Sequence, residues 1–310
     1  MRYRLGCSLS YEIGSAVTFI FNLEVARIEN HRILSESLVL TPPLERDVYT
    51  EPDTRNRYFR VNVSPGMLGV EYDANIELTA HHANPATINE TPINRIPLSI
   101  LPFLLPSRYV PSDRLAAFAR AEFGSLLPGH KRVNAICGWI YDHLEYRRGS
   151  SSEETTADET LLKRAGICRD FSHLAIALCR GLGIPARFVS CYAHGLVPAD
   201  FHAVFEAYLD GRWWLFDATR QAHLDGLVGS ASAEMPPKSL SQHPLARSSR
   251  RGWKYASPLR AAARIEDRGL WMQYQPMTLL TSAMASSLIG LVKASSRIPA
   301  VMRAPLRARL

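Results

Sequence analysis

Hydrophobic and polar residues alternate along much of the first 85 residues, which is the spacing of half-buried β-strands. Residues 16–26 form a β-branched and aromatic run, and residues 57–63 and 68–78 alternate in the same way. Turn residues separate these runs: Pro42-Pro43, Pro52-Asp53 and Pro65-Gly66. We therefore predict a β-rich N-terminal domain over residues 1–85, folded as a small antiparallel sandwich.

A proline-rich segment follows, and its prolines at positions 85, 92, 97, 102, 106 and 111 indicate an interdomain linker over residues 86–111. Beyond it the apolar spacing changes to every third or fourth residue. This spacing predicts helices over residues 112–123 and 131–143, and a third helix from about 168 to 182. The polar residues 147–160 between them predict a loop.

Three further strands are predicted after the third helix, over residues 186–193, 201–209 and 212–217. Gly183-Ile184-Pro185 ends the helix before them. Helices followed by strands in this order predict a second domain of mixed α and β structure.

The charge of the chain is unevenly distributed. The 310 residues have a formal net charge of +7, but residues 1–226 hold 23 basic and 26 acidic residues. Residues 227–310 hold 13 basic and three acidic residues, so all of the positive excess lies in this tail. Residues 1–226 therefore offer no basic surface for nucleic acid, and we expect no nucleic-acid partner. The hydrophobic fraction of 46% excludes a wholly disordered chain.

The chain contains five widely spaced cysteines: Cys7, Cys137, Cys168, Cys179 and Cys191. Because no Cys-x-x-C pair occurs, a zinc ribbon, a redox motif and a disulfide framework are all disfavoured, and we predict free thiols in the cytoplasm. Polar residues interrupt the N-terminal stretch, which argues against a signal peptide. The apolar residues 279–292 are fewer than the ~20 that a membrane span needs, so we expect no membrane association.

Cys168 lies at the predicted start of a helix. There, unpaired backbone N–H groups and the positive end of the helix dipole stabilise a thiolate. The same N–H groups can donate to the oxyanion that forms when a thiolate attacks a carbonyl. Cys137, Cys179 and Cys191 lie within apolar patterns and are predicted to be buried structural residues.

A thiolate nucleophile needs a base, and the base needs an orienting partner. His202 lies on a predicted strand and Asp217 ends the next strand, so antiparallel pairing would bring their side chains together. Asp170 and His173 are neighbours on one helix and cannot converge, so Asp170 is better explained as stabilising the helix start. The residues that remain as alternatives are His173 and His194 for the base, and Asp170, Asp200 and Asp210 for the carboxylate.

These candidates lie in three distinctive blocks of sequence. The first, from residue 166 to 190, begins G-I-C-R-D-F-S-H, and the second, at 200–209, is D-F-H-A-V-F-E-A-Y-L. The third, at 211–219, is G-R-W-W-L-F-D-A-T. In order and spacing the three blocks resemble the signature of the bacterial transglutaminase-like superfamily. Residues 1–85 are similar to the β-rich region that precedes this core in bacterial members, so the resemblance covers roughly residues 1–226.

The resemblance implies an α+β fold: an N-terminal antiparallel β-sandwich-like domain, then a papain/transglutaminase-like core over residues 112–226. In this core a helix bearing the cysteine packs on an antiparallel sheet bearing the histidine and the aspartate. The family's Cys-His-Asp triad falls on Cys168 as nucleophile, His202 as base and Asp217 as orienting carboxylate. The implied chemistry is attack on an amide carbonyl, release of an amine and formation of a thioester.

Hydrolysis of that thioester, as in a protease or amidase acting on a peptide or protein, is favoured. The alternatives are transfer to an amine, as in a protein-glutamine transglutaminase, and a noncatalytic binding or scaffold role. One oxyanion donor is expected to be the Cys168 backbone N–H, and the second to come from the segment Tyr146–Thr156. No acidic loop has calcium-ligand spacing, so we expect no metal and no cofactor. Trp213 and Trp214 are expected to pack in the strand core rather than line a substrate groove.

The family pattern is lost after Gly226. Members of the family continue with a segment resembling G-R-D-A-A-D-V-A-F-A-T, whereas this chain reads V-G-S-A-S-A-E-M-P-P-K-S-L-S-Q-H from Val228 to His243. From there on the chain becomes rich in Arg, Ser, Ala and Pro. With suitable synonymous codons, the shifted frame can read R-F-G-V-G-R-D-A-A-E-V-A-F-A-T. We hypothesise a frameshift of one or two nucleotides near residues 227–229, which sequencing of the gene would test. An out-of-frame tail over residues 227–310 is expected to be poorly ordered; otherwise it is a genuine basic tail for an acidic partner.

Overall fold

Antiparallel strands build the N-terminal region. The computed structural model describes residues 1–233 and three later strands, 245–248, 253–255 and 260–267. The N-terminal strands are β1 (Arg2–Ile13), β2 (Val17–Phe21), β3 (His31–Thr41), β4 (Asp47–Thr50), β5 (Arg57–Val63) and β6 (Gly66–Leu78). The strands predicted at 57–63 and 68–78 are confirmed, whereas β1, β3 and β4 were not predicted.

These strands form two sheets, which three strands from the C-terminal part of the chain extend. The later strands are β13 (Leu245–Ser248), β14 (Trp253–Tyr255) and β15 (Arg260–Asp267). One sheet has the order β15-β1-β6-β3 and the other β14-β13-β2-β5-β4. Alternate residues of β1, from Tyr3 to Ile13, are buried in the shared apolar core, together with the stacked rings of Phe19, Phe21 and Phe59.

The proline-rich segment contains short 3-10 helices at Pro85–Thr87, Ile93–Arg95 and Leu98–Leu104. Their formation needs only local hydrogen bonds, which suits a segment in which proline removes backbone donors. Phe103 is buried, and its ring packs edge-on against Trp213 at 5.0 Å. The segment is therefore anchored to the region that follows.

The helices of the core are α1 (Ser112–Phe123), α2 (His130–His143), α3 (Ala157–Lys163) and α4 (Cys168–Gly181). Three of them confirm the predictions, but residues 147–160 were predicted as a loop, and α3 begins inside that range. The reason is a capping box: Thr156 and Glu159 satisfy each other's backbone N–H groups at the helix start. The sequence spacing Thr-x-x-Glu was therefore a signal for this helix.

The core sheet has the strand order β11-β10-β9-β12. Its strands are β9 (Ala186–Ala193), β10 (Phe201–Leu209), β11 (Arg212–Phe216) and β12 (Leu227–Ala233). Helix α4 packs on one face of the sheet, and their apolar residues share one buried cluster. Two short parallel strands, β7 (Glu145–Tyr146) and β8 (Ala165–Gly166), lie before α4. The α+β fold class is thus confirmed.

The core sheet continues past residue 226. Strand β12 pairs antiparallel with β9, and Gly229 accepts a backbone hydrogen bond from Ala26 at 3.0 Å. The backbone of Ser232 also exchanges hydrogen bonds with the Asn56 side chain. Strand β12 therefore joins the core sheet to the N-terminal strands. The predicted poor order is therefore wrong for residues 227–233, which form β12. Most of the remaining predicted tail lies outside the described residues, and the frameshift stays a hypothesis.

Candidate active site

Cys168 is the first residue of α4 and is half-buried, whereas the other four cysteines are buried. The carboxylate of Asp170 accepts a 2.9 Å hydrogen bond from the backbone N–H of Ile167 and so fixes the helix start. A Cβ at Gly166 would lie only 2.8 Å from the Cβ of Asp170. Glycine at this position therefore allows the close approach that places Cys168 at the helix N-terminus.

His202 and Asp217 come together at the end of the core sheet. His202 lies on β10 and Asp217 directly follows β11, and the antiparallel pairing of these strands brings the imidazole Nε2 to 3.0 Å from the Asp217 Oδ2. The Cys168 side chain also interacts with this imidazole and contributes to raising its pKa. The structure thus places all three sequence-predicted site residues in one contiguous group.

The proton affinities of the pair follow from these contacts. Burial alone would lower the pKa of His202, but its hydrogen bonds and charge interactions with Asp217 and Cys168 outweigh burial and raise the pKa to about 9. Burial would raise the pKa of Asp217, but the contacts with His202 and Thr219 lower it overall. At neutral pH the imidazole is therefore protonated and the carboxylate ionised.

Thr219 holds the carboxylate in place. Its backbone N–H and its hydroxyl both donate to the Asp217 Oδ1, at 2.8 and 2.7 Å. These bonds leave Oδ2 directed at His202, so Thr219 sets the orientation of the carboxylate. The Asp-Ala-Thr spacing is the sequence signal for this contact, because hydroxyls two residues from an aspartate often close such local turns.

Ser172 connects the helix to the sheet. Its buried hydroxyl lies 2.9 Å from the Cys168 carbonyl oxygen and 3.1 Å from the Ala203 carbonyl oxygen, so its single proton is shared between acceptors on both elements. Ala203 is the neighbour of His202 on β10. The hydroxyl therefore fixes the first turn of α4 against the strand that bears the histidine.

Tyr146 lies on the other side of the thiol. Its strand, β7, pairs with β8 at Gly166, and its hydroxyl interacts with the Cys168 side chain. Burial, followed by the interactions with Cys168, raises the pKa of Tyr146 to about 12. The phenol consequently keeps its proton and is a hydrogen-bond donor beside the sulfur.

Arg169 ties the loop after Tyr146 to the helix start. Its Nη2 donates to the Ser152 carbonyl oxygen at 2.6 Å and to the Asp170 Oδ1 at 2.9 Å. The guanidinium therefore bridges the loop and the buried carboxylate. Sequence reasoning did not single out Arg169, because no local pattern shows which loop it reaches.

The alternative bases lie elsewhere. His173 is buried between the rings of Tyr109 and Phe188, and burial with the charges of Arg169 and Arg180 lowers its pKa to about 3. His194 packs against the Tyr3 ring, 5.4 Å away. Among the described histidines, His202 is the one that interacts with both Asp217 and Cys168, so it is the base that the geometry favours.

The alternative carboxylates are also engaged away from His202. Asp200 lies 3.7 Å from the Arg148 guanidinium, and Asp210 has a positive φ of 50° in the turn between β10 and β11. Asp170 supports the start of α4, as the sequence predicted. Among the described residues, no group of three or more His, Cys, Asp or Glu side chains is placed to hold a metal ion.

Comparison with known proteins places this geometry in a family. The model of the transglutaminase-like superfamily matches residues 117–218, and that of the bacterial transglutaminase N-terminal domain matches residues 1–99. A crystal structure of a candidate cysteine protease from Cytophaga hutchinsonii is 35% identical, with a TM-score of 0.80 over 90% of this chain and 94% of that chain. The chain belongs to the transglutaminase-like superfamily.

Two mycobacterial proteins resemble shorter parts of this transglutaminase-like protein. An uncharacterized protein of Mycobacterium leprae is 29% identical over 129 residues, which cover 39% of this chain and 46% of that protein. An uncharacterized protein of Mycobacterium tuberculosis is 36% identical over 81 residues, or 26% of each chain. These matches therefore span less than half of either mycobacterial protein.

The two tryptophans of the transglutaminase-like core lie toward the far end of β11 from Asp217. Trp213 packs beneath the Arg187 guanidinium at 4.2 Å, and Trp214 donates its indole N–H to the Leu209 carbonyl oxygen at 3.0 Å. Both indoles make packing contacts, but they are half-buried rather than enclosed in the strand core, and both line a cavity of about 250 Å³. Within the described residues, no helix is long and apolar enough to cross a membrane.

Proposed function

We propose that this protein is a cysteine enzyme that cleaves amide bonds through a thioester intermediate. The observation that supports this most directly is the His202 imidazole, which is hydrogen-bonded to the Asp217 carboxylate and interacts with the Cys168 side chain. Cys168 acts as nucleophile, His202 as acid and base, and Asp217 as the carboxylate that orients the imidazole.

The first half of the reaction uses the thiolate–imidazolium pair. The Cys168 sulfur forms a bond to the amide carbonyl carbon, and the carbonyl electron pair moves onto oxygen. When that pair returns, the C–N bond breaks and the His202 imidazolium gives its proton to the departing amine. A thioester remains on Cys168, and the imidazole is left neutral.

The second half of the reaction regenerates the thiolate. His202, now neutral, takes a proton from a water molecule, whose oxygen attacks the thioester carbonyl carbon. The C–S bond then breaks, so a carboxylic acid leaves and the thiolate–imidazolium pair returns. Attack by an amine in place of water would give transfer with the same residues.

Two donors serve the oxyanion in this proposal. The first is the Cys168 backbone N–H at the start of α4, where the helix dipole also favours negative charge. The second is the Tyr146 hydroxyl, which lies against the Cys168 side chain and retains its proton. Tyr146 lies within the segment from which a second donor was expected.

Hydrolysis of a peptide or protein amide is the favoured outcome. The Cytophaga hutchinsonii relative is described as a candidate cysteine protease, which supports hydrolysis over amine transfer. The contacts among Cys168, His202 and Asp217 argue against a noncatalytic scaffold, because such a role would not need a histidine between a thiol and a carboxylate. We place the enzyme in the cytoplasm, a location consistent with five free thiols.

Alkylation of the thiol tests this assignment. Iodoacetamide at pH 6–7 should modify Cys168 at least about tenfold faster in the native protein than in His202→Asn, because the imidazolium stabilises the thiolate. A His173→Asn variant serves as the matched control, since His173 lies on α4, the helix that begins at Cys168, without touching the thiol. Equal alkylation rates in all three proteins would contradict the proposal, since exposure alone would then explain reactivity.

A peptide library separates the two outcomes of the thioester. Cleavage that yields new carboxyl and amino termini identifies a peptidase, and ammonia release from glutamine side chains identifies an amidase. Incorporation of a labelled primary amine into a glutamine-containing protein, faster than hydrolysis, would instead establish transfer. Each readout must disappear in Cys168→Ala if the proposed nucleophile is correct.

A further inference from the structure

A cleft of about 400 Å³ borders Asp217. One wall is the first half of α2 and the other is the loop after β11, and the polar residues that line it include His130, Asn134, Arg220, Gln221 and His223. Cys168 and His202 do not line the cleft. It is therefore a separate feature from the thiol–imidazole contact that serves the proposed reaction.

Arg220 is the fixed positive charge of this cleft. Its φ of 56° is unfavourable for a residue with a Cβ, and such strain is retained where the surrounding structure requires the conformation. The guanidinium lies 4.6 Å from the centre of the Tyr141 ring. Its Nη2 lies 3.2 Å from where a Cβ at Gly138 would be, so the glycine makes room for it.

The charge of Arg220 is not neutralised by a contact within the described residues. No carboxylate among residues 1–233 forms an ion pair with it, although Asp217 lines the same cleft. The Asp217 oxygens are already engaged by His202 and Thr219. At the base of the cleft, burial and the charge of Asp217 raise the pKa of the Cys137 thiol, and the charge of Arg220 opposes that rise.

Neutral and titratable donors line the same cleft as this cation. Asn134 offers an amide, and His130 and His223 offer ring N–H groups. The His130 ring is held against the Phe216 ring at 4.7 Å, so one wall is fixed by packing. A guanidinium with several N–H donors beside it matches the planar oxygens of a carboxylate or the oxygens of a phosphate.

We propose that this cleft is a binding site for a small oxyanion, with the Arg220 guanidinium as its principal ligand. The bound group is a carboxylate or a phosphate of a small molecule, and it occupies a position distinct from the amide that would react at Cys168. The site does not depend on the proposed catalytic function.

Calorimetric titration of the full-length protein at pH 7 tests the site, with succinate and inorganic phosphate as the two probes. We expect saturable one-to-one binding of at least one probe. Arg220→Gln should weaken that binding about ten- to a hundredfold, the range expected for loss of a charged hydrogen-bond donor. Arg212→Gln is the matched control, because Arg212 is also exposed and lies 5.8 Å from an aromatic ring, that of Trp214.

An Arg220→Gly variant guards against a loss of folding. Glycine accepts the positive φ without strain, so this variant should unfold at the same or a higher temperature while losing anion binding. The proposal is overturned if neither probe binds more tightly than chloride at equal ionic strength, or if the two Arg220 variants bind as well as the native protein. Binding confined to succinate or to phosphate identifies which oxyanion the site takes.

Discussion

Two groups of buried charges, one in each part of the molecule, are built differently. In the N-terminal region, Arg57 donates to Glu24 at 2.6 Å and to Glu36 at 2.7 Å, and Tyr72 donates to Glu36 at 2.9 Å. In the core, His202 lies between Asp217 and Cys168. In each group a cation lies between two partners. Arg57 lies between the carboxylates of Glu24 and Glu36, and the His202 imidazolium lies between the Asp217 carboxylate and the Cys168 thiol, which becomes an anion when it loses its proton.

The difference lies in the cation. Arginine does not lose its proton in a protein, and Arg57 is buried with its donors directed at fixed acceptors, so that group can only hold strands together. Histidine exchanges its proton at accessible pH, and its second partner, the Cys168 thiol, is half-buried rather than enclosed. A buried ionic group therefore becomes chemically useful when its cation titrates and one partner can be reached.

The largest expected effect is the loss of amide cleavage in Cys168→Ala. Because no other described cysteine is both accessible and next to an imidazole, the rate should fall at least about a thousandfold. Unfolding in urea should change little. The control is Cys7→Ala, in the N-terminal region, which should keep the native rate. Substantial cleavage by Cys168→Ala would contradict the comparison, because the group around His202 would then not be the reactive one.

The second expected effect is on stability. Arg57→Ala leaves Glu24 buried without its nearest cation, and the free energy of unfolding should fall by about 3–5 kcal/mol. Arg60→Ala is the control: Arg60 also pairs with a carboxylate, Asp47, but both are exposed, so its loss should cost about 0–1 kcal/mol. If urea denaturation shows that the two variants lose the same free energy of unfolding, the structural role assigned to Arg57 is wrong.

A smaller effect is expected in the dependence of cleavage on pH. The imidazolium must supply a proton to the leaving amine, so the rate should fall as pH rises through the His202 pKa of about 9. Asp217→Asn removes the carboxylate that raises this pKa and should move the fall toward lower pH, lowering the rate at pH 8 about tenfold or more. An unchanged pH profile in Asp217→Asn would show that Asp217 does not control the imidazole.

The elements around the site were predictable because their local signals agree. Helix α4 has a clear apolar stripe and is followed by Gly183-Ile184-Pro185, and the alternation of β9 and β10 is bounded by turn residues. Local signals of this kind did not decide whether His202 or His173 is the base. On spacing alone both stayed open, and the family resemblance selected His202; in the structure, strand pairing then brings it to Asp217.

The missed elements show the limits of local signals. Strand β1 buries Tyr3, Leu5, Leu9 and Tyr11 in strict alternation, but Gly6, Ser8 and Ser10 on its other face are weak strand formers. The link from Arg169 to the Ser152 loop, and the Arg220 cleft, join residues from separate elements. Such contacts depend on how the chain folds back on itself, which spacing along the sequence does not encode.

Strand β12 has a consequence for the synthesis of the protein. Asn56 and Ser232 are hydrogen-bonded yet lie 176 positions apart, so a ribosome adding roughly 5–20 residues per second makes the second roughly 10–35 seconds after the first. During that interval the N-terminal strands have left the ribosome without the strand that joins them to the core. The nascent chain therefore exposes unpaired edges to chaperones and to other nascent chains before Cys168 and His202 can be fixed in place.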